Sequence, residues 1–170
     1  SNMKLALKFI AFAFLTIAPL STYAQSNVAH INVQQLISEM PEVIAAQNEL
    51  AKLEKDYTTQ IDNAFKEFQT KAQSYSADAA NQTDVTNQAR QKELESMQTN
   101  LQEFRDSAAQ ELQKKQMDLM TPLLEKARNA ITKVGQEQGF DYVIDASPNG
   151  GIILADGKDL IEDVKRELGF

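Results

Sequence analysis

The sequence predicts a mainly α fold. A long antiparallel helical hairpin projects from a small strand-containing body that both ends of the chain build. Three observations point there. No glycine precedes Gly135 in the 170 residues. Apolar residues recur at spacings of three and four along two stretches separated by a small polar tip. Alternating apolar residues, the mark of strands, are confined to the two ends. A compact α/β enzyme needs turns far more often than so long a glycine-free run offers.

The start of the chain reads as a targeting segment. Ser1-Asn2 ahead of Met3 read as a cloning remnant. Lys4 and Lys8 supply a positive opening, Phe9–Ala18 an apolar run, and Thr22-Tyr23-Ala24 a small-residue site that predicts cleavage after Ala24. The run is shorter than the roughly 20 residues a membrane span requires. The mature chain would be Gln25–Phe170, exported and periplasmic.

Val28–Val33 (VAHINV) alternates and reads as a strand with Ala29, Ile31 and Val33 on one face. A turn or short helix follows over Gln34–Met40. Pro41 then suits the first position of a helix, and Glu42 its first turn. The first long helix, Glu42 to about Tyr75, carries a narrow apolar seam of Leu50, Leu53, Tyr57, Ile61, Ala64, Phe68, Ala72 and Tyr75. Its eleven-residue repeat favours a straight or slightly right-handed pairing. Ser76–Thr83 is the hairpin tip, with Asn81 or Thr83 capping the return helix. That helix runs from Asp84 to about Gln138, with Leu94, Met97, Leu101, Phe104, Ala108 and Leu112 in its seam and Leu119, Leu123, Ala127, Ile131 and Val134 beyond. Pro122 would bend it where it enters the body. Gly139 supplies a left-handed terminus, letting Phe140 fold back on Val134.

The period then changes to two. Phe140–Ser147, Pro148–Gly151 and Ile152–Ala155 read as a β-hairpin with a tight turn. Asp159 is expected to cap a closing helix over Leu160–Leu168, with Glu162 reciprocating. Residues 1–24 are thus remnant and signal, 25–41 with 119–170 a discontinuous body, and 42–118 the hairpin. Ile31, Val33, Val143, Ile144, Ile152 and Leu154 are the candidates for the body core. So small a body has too little surface to bury on its own, and its strands leave edges to cover, which predicts an obligate oligomer.

Composition narrows function further. Without cysteine there are no disulfides, thiolate nucleophiles or Cys-ligated metals. One histidine, His30, excludes any site needing two imidazoles and reads as a structural or surface residue. Asp141 and Asp145 resemble an acid/base pair only superficially, and Asp156, Asp159, Glu162 and Asp163 read as a cap and solvated charges. No catalytic, cofactor-binding or metal-binding residue is assigned, and no glycine-rich phosphate loop is present. Without Lys4 and Lys8, 15 basic side chains face 24 acidic ones, a net charge of −9. That balance argues against nucleic acid and lends no support to contact with a membrane surface.

The signal-like start, Ile31-Asn32-Val33 with Leu36, Pro122 with Lys126, Ala130-Ile131 and Val134, the run Gly139–Asp145 (GFDYVID), and Asp159-Leu160-Ile161 with Val164 together resemble the Skp/OmpH family of periplasmic chaperones. The likeness spans the mature chain. It implies a homotrimer with a shared β-barrel body, whose three helical arms enclose unfolded outer-membrane proteins. The charge departs from that pattern, since familiar members are basic. Residues 41–138 carry 12 basic and 16 acidic side chains, so a positive cavity or a site for lipopolysaccharide phosphates does not carry over. Capture would then rest on apolar and hydrogen-bonding contacts, without nucleotide. Phe65, one position off the seam, is a candidate client contact, as are Met97, Met117 and Met120, although each also suits ordinary packing. The competing reading is a structural coiled-coil adaptor or spacer of the envelope without chaperone activity.

Overall fold

The structure, a computed structural model, describes residues 25–170. The signal and cleavage readings fall on residues 1–24 and lie outside the described residues. The elements run β1 (Val28–Ile31), α1 (Val33–Glu39), α2 (Pro41–Asp78), a 3₁₀ turn (Ala79–Asn81), α3 (Asp84–Glu137), β2 (Tyr142–Asp145), β3 (Lys158–Asp159) and α4 (Ile161–Leu168). The fold class is the expected one: a long helical hairpin on a small body that both chain ends build.

β1 is shorter than the alternation suggests. Ala29 and Ile31 point into the core, each 1% exposed, but the Asn32 side chain accepts the Gln35 N–H at 2.9 Å and starts α1 there. Val33 is therefore helical, packed against the edge of the core rather than within a strand. An Asx cap so placed competes directly with strand continuation. Pro41 occupies the first turn of α2 with Glu42 beside it.

At 1.5 Å per residue α2 is about 57 Å long and α3 about 81 Å. α3 runs on through Pro122 without a break. Thr83 caps it, its hydroxyl accepting the Thr86 N–H at 3.2 Å. Within the arm Leu101 and Ala108 are buried, and the other seam residues, from Leu50 through Tyr75 and Leu94 through Leu112, are half-buried. Two helices alone cannot bury a seam further. Tyr57 and Phe104 meet edge to face across it, ring centroids 6.0 Å apart, the geometry that aligns a positive ring edge with a negative ring face. Below Leu50 the seam continues through buried Val43 and Ala46 into the body.

The body holds the hydrophobic core. Leu36, Val43, Leu160 and Val164 are fully enclosed, with Met40, Ala127, Ala130 and Val134 around them. Gly139 adopts φ +78°, and Phe140 folds back on this cluster, its N–H donating to the Gly135 carbonyl at 2.9 Å.

The C-terminal segment differs from the hairpin expected of it. The sheet is three parallel strands in the order β2-β1-β3. A turn does form at Ser147–Gly151, with Asn149 at φ +69° and Gly151 at φ +85°. Residues 152–155 then leave the sheet instead of returning along β2, and pairing resumes only at Lys158–Asp159, on the far edge of β1. The local alternation is compatible with a hairpin, but β1 offers β2 and β3 each a parallel edge at once, and that long-range pairing wins. Ile152 and Leu154 are correspondingly not core residues of the chain: they are 39% and 73% exposed, and Ile153 is wholly exposed. Ile144 is half-buried, while Val143 packs against the core. α4 begins one residue later than expected. Asp159 accepts the Ile161 N–H at 3.0 Å from just outside it, and Glu162 lies 3.8 Å from Lys165 instead of bonding back to the cap.

Candidate interaction surfaces of arm and body

The four candidate client contacts separate into two pairs. Met97 is half-buried in the seam and Met120 packs against the body core. Phe65 and Met117 instead stand out from the arm, 40% and 62% exposed. Phe65 belongs to α2 and shares a shallow groove with Phe68, Leu101 and Arg105. Met117 lies nearer the body, beside Gln110, Gln113 and Lys114 of α3. α3 residues opposite Phe65 centre near position 100, so the two patches lie about 25 Å apart along the arm.

The tip carries a polar clasp that sequence reasoning missed. The Glu93 carboxylate accepts from Lys71 Nζ at 2.7 Å and from the Tyr75 hydroxyl at 2.6 Å. Arg90 stacks 4.6 Å from the Tyr75 ring centre and donates to Asp78 at 3.0 Å. Gln82 and Asn81 donate to the same carboxylate, and Asn87 donates to the Ala79 carbonyl at 3.0 Å. The Lys71 ammonium and Tyr75 hydroxyl hold Glu93 below the usual carboxylate range, and Arg90, then Gln82, does the same for Asp78. The Glu93 bond and partial burial push the Tyr75 phenol up. The signal was present as charges beside the seam, Lys71 next to Ala72 and Glu93 next to Leu94, with Asp78 and Arg90 three and four positions beyond its last residues on facing helices, legible only once the pairing register is known.

On the body, a groove of about 630 Å³ is lined by Ile31, Val33, Ile37, Leu124, Ile131, Phe140 and Val143, with Arg128, Asp141 and Asp145 on its rim. β2 borders it as an edge strand. The rim carboxylates serve the backbone. Asp141 accepts the Asn27 N–H at 2.9 Å. Asp145 accepts from the Ser147 hydroxyl at 2.5 Å and the Val33 N–H at 3.3 Å, bonds that hold it below the usual range. Among the described residues, no cluster of three or more His, Asp or Glu is arranged to hold a metal ion, and no helix is long and apolar enough to cross a membrane.

A thin hairpin with one seam, based on a small open-edged body, is an arrangement shared with known proteins. Residues 27–168 match the family described as Outer membrane protein (OmpH-like). The chain belongs to the OmpH-like family. Among its relatives, a "Chaperone protein Skp" of Yersinia enterocolitica is 26% identical, the match covering 91% of this chain and 93% of that one. Another of the same name, from Pectobacterium atrosepticum, is 20% identical over 89% and 90% of the two chains. A crystal structure of a putative outer membrane chaperone (OmpH-like) from Caulobacter crescentus superimposes with a TM-score of 0.76, covering 85% of each chain at 13% identity. At that identity the likeness establishes the fold.

Proposed function

We propose that the mature chain is a periplasmic holdase for unfolded outer-membrane proteins, working without ATP as a homotrimer whose arms enclose the client. Family membership and relatives named as Skp chaperones support the chaperone reading. The observation that carries the mechanism is the arm itself. Two helices share a seam one to two side chains wide, with Phe65 and Met117 standing outside it. Such an element has low local stability and flexes readily, and its isolated apolar contacts suit clients of many shapes. Binding an unfolded chain in preference to the folded one withholds it from aggregation without an energy source. An arm of residues 42–118 and a body of 25–41 with 119–170 divide this work.

The trimer is supported by what one protomer leaves uncovered. β2 and β3 are both edge strands, and Ile152, Ile153 and Leu154 are displayed together on the loop between them. Exposed edges and contiguous apolar residues are liabilities that a second copy removes. The acidic balance supports capture through apolar and hydrogen-bonding contacts rather than in a basic cavity.

The test is dilution of an outer-membrane β-barrel protein from urea into buffer lacking nucleotide, with and without the mature chain. Light scattering should be suppressed at about one trimer per client. Unchanged scattering, with a folded envelope protein co-purifying instead, would establish the adaptor or spacer reading.

A further inference from the structure

The loop between β2 and β3 contains the chain's one Asn-Gly step, Asn149-Gly150. Both residues are exposed. Asn149 has φ +69°, the one non-glycine residue with a positive φ among those described. The Gly150 N–H donates to the Ser147 carbonyl at 3.0 Å, and with Pro148 and Asn149 between them this is the pattern of a type II turn. The turn selects both residues of the pair. Its third position needs a positive φ, which asparagine and glycine tolerate. At the fourth, a β-carbon on Gly150 would stand 3.0 Å from the Ser147 carbonyl oxygen and 3.4 Å from that of Asp145.

The pair that suits the turn is chemically the least durable in the chain. The side-chain carbonyl carbon of an asparagine can close a five-membered ring with the backbone nitrogen of the next residue, and asparagine is thermolabile for that reason. A following glycine leaves the nitrogen unhindered. Every other asparagine among the described residues precedes a residue that carries a side chain, and those within α2 and α3 precede amides fixed by helical hydrogen bonds. Little holds the Gly150 nitrogen. Its bond to Ser147 is, among the described residues, the one hydrogen bond made between Pro148 and Asp156. Ile152, Ile153 and Leu154 just beyond it are exposed. A stretch so tethered opens locally at small free-energy cost, and each opening frees the nitrogen.

We propose that Asn149 is a site of spontaneous backbone modification, converting through a cyclic imide to aspartate and isoaspartate. The Gly150 nitrogen gives its proton to a solvent base and bonds to Asn149 Cγ. The bond from Cγ to the side-chain nitrogen breaks, and that nitrogen leaves as ammonia, taking a proton from solvent. Water then opens the ring at either carbonyl. Opening at the main-chain carbonyl routes the backbone through the former side chain, which is isoaspartate; opening at the other gives aspartate. Asparagine and water become an acid and ammonia, with no oxidation or reduction. Both products add a negative charge beside Ile152–Leu154, and isoaspartate also lengthens the backbone within the turn that presents them. The inference concerns this loop alone and stands whether or not the arms act as a holdase.

The mature protein and its Asn149→Gly variant, in which glycine keeps the positive φ, are held at pH 8.0 and 37 °C for several weeks. Trypsin then releases the peptide Val134–Lys158, which contains the loop. The excised wild-type peptide is incubated in parallel to give the rate without the fold. In the folded wild type, part of this peptide should gain the mass of an amide-to-acid replacement, placed at Asn149 by fragmentation and resolved into two chromatographic species, the larger being isoaspartate. Conversion there should exceed that at any other asparagine by an order of magnitude or more. Asn149→Gly should lack both species. Isomerisation of Asp156, which also precedes a glycine, leaves the mass unchanged and is not counted. An Asn149 that stays intact in the folded protein while the free peptide converts would show that the turn protects the pair, and would overturn the proposal. Conversion to aspartate without isoaspartate would overturn the imide route.

Discussion

Gly135 of α3 and Val143 of β2 approach so closely that a β-carbon built on the glycine would stand 2.7 Å from the valine Cγ2. The long helix and the edge strand owe their contact to a missing side chain. On helix propensity alone, Gly135→Ala should stabilise by about 1 kcal/mol. Here the added methyl meets a β-branched side chain with one preferred rotamer, and overpacking of this kind costs about 1–3 kcal/mol. We expect a net loss of about 1 kcal/mol in urea denaturation. In a Val143→Ala background the same substitution should stabilise, as the double-mutant cycle reads directly. A more stable single mutant would show that the helix and strand can part without cost.

The clasp at the tip predicts a pH dependence confined to that end. Asp78 and Glu93 are both held below their ordinary range in the folded chain. Their contribution is present above the usual carboxylate range and is lost as pH falls through the lowered folded values. Arg90→Ala should therefore speed hydrogen exchange over residues 75–93 at neutral pH while leaving the body unchanged. The gap between variant and wild type should narrow on acidification toward pH 3. A gap that widens instead would mean that Arg90 acts through packing on Tyr75 rather than through charge.

Assembly and folding should respond to different apolar residues. Ile153 is wholly exposed and Leu154 largely so in one protomer, so Ile153→Asp with Leu154→Asp should alter protomer stability by no more than about 0.5 kcal/mol. If the chain assembles as the proposed trimer, mass photometry should nevertheless show the assembly falling to monomers. Val143→Asp, by contrast, places a charge against the core and should unfold the body outright. A trimer that survives the paired substitution would locate the interface elsewhere, with the groove beside β2 the next surface to probe.

Phe65 tests the arm. The residue is 40% exposed, so Phe65→Ser should lower the melting temperature only slightly and leave helicity intact. Suppression of client scattering should weaken several-fold. A large fall in melting temperature with unchanged capture would identify Phe65 as hairpin packing.

Much of this architecture was legible in the chain because its signals are local. The seam from Leu50 to Leu112 follows helical spacing, Pro41 and Thr83 begin helices where proline and threonine are best tolerated, and Gly139 ends one with a positive φ that glycine adopts freely. The resemblance carried by GFDYVID and the closing helix likewise pointed to the family. Asn32 could have been recognised as a cap, but the alternation of VAHINV masked it. The clasp and the division of the four candidates into exposed Phe65 and Met117 and packed Met97 and Met120 required the register of two helices, to which each position in isolation is blind.

By itself, then, the amino-acid order determined the two long helices to within a few residues, the polar turn between them and the net acidity, since each depends on residues a few positions apart. Tertiary structure alone decided that β2 and β3 flank β1 in parallel, that Ile152–Leu154 stay outside the sheet, and that His30 meets Asp159. A strand has two edges and chooses partners by what the rest of the fold delivers to them, and here both partners arrive from more than 100 residues away.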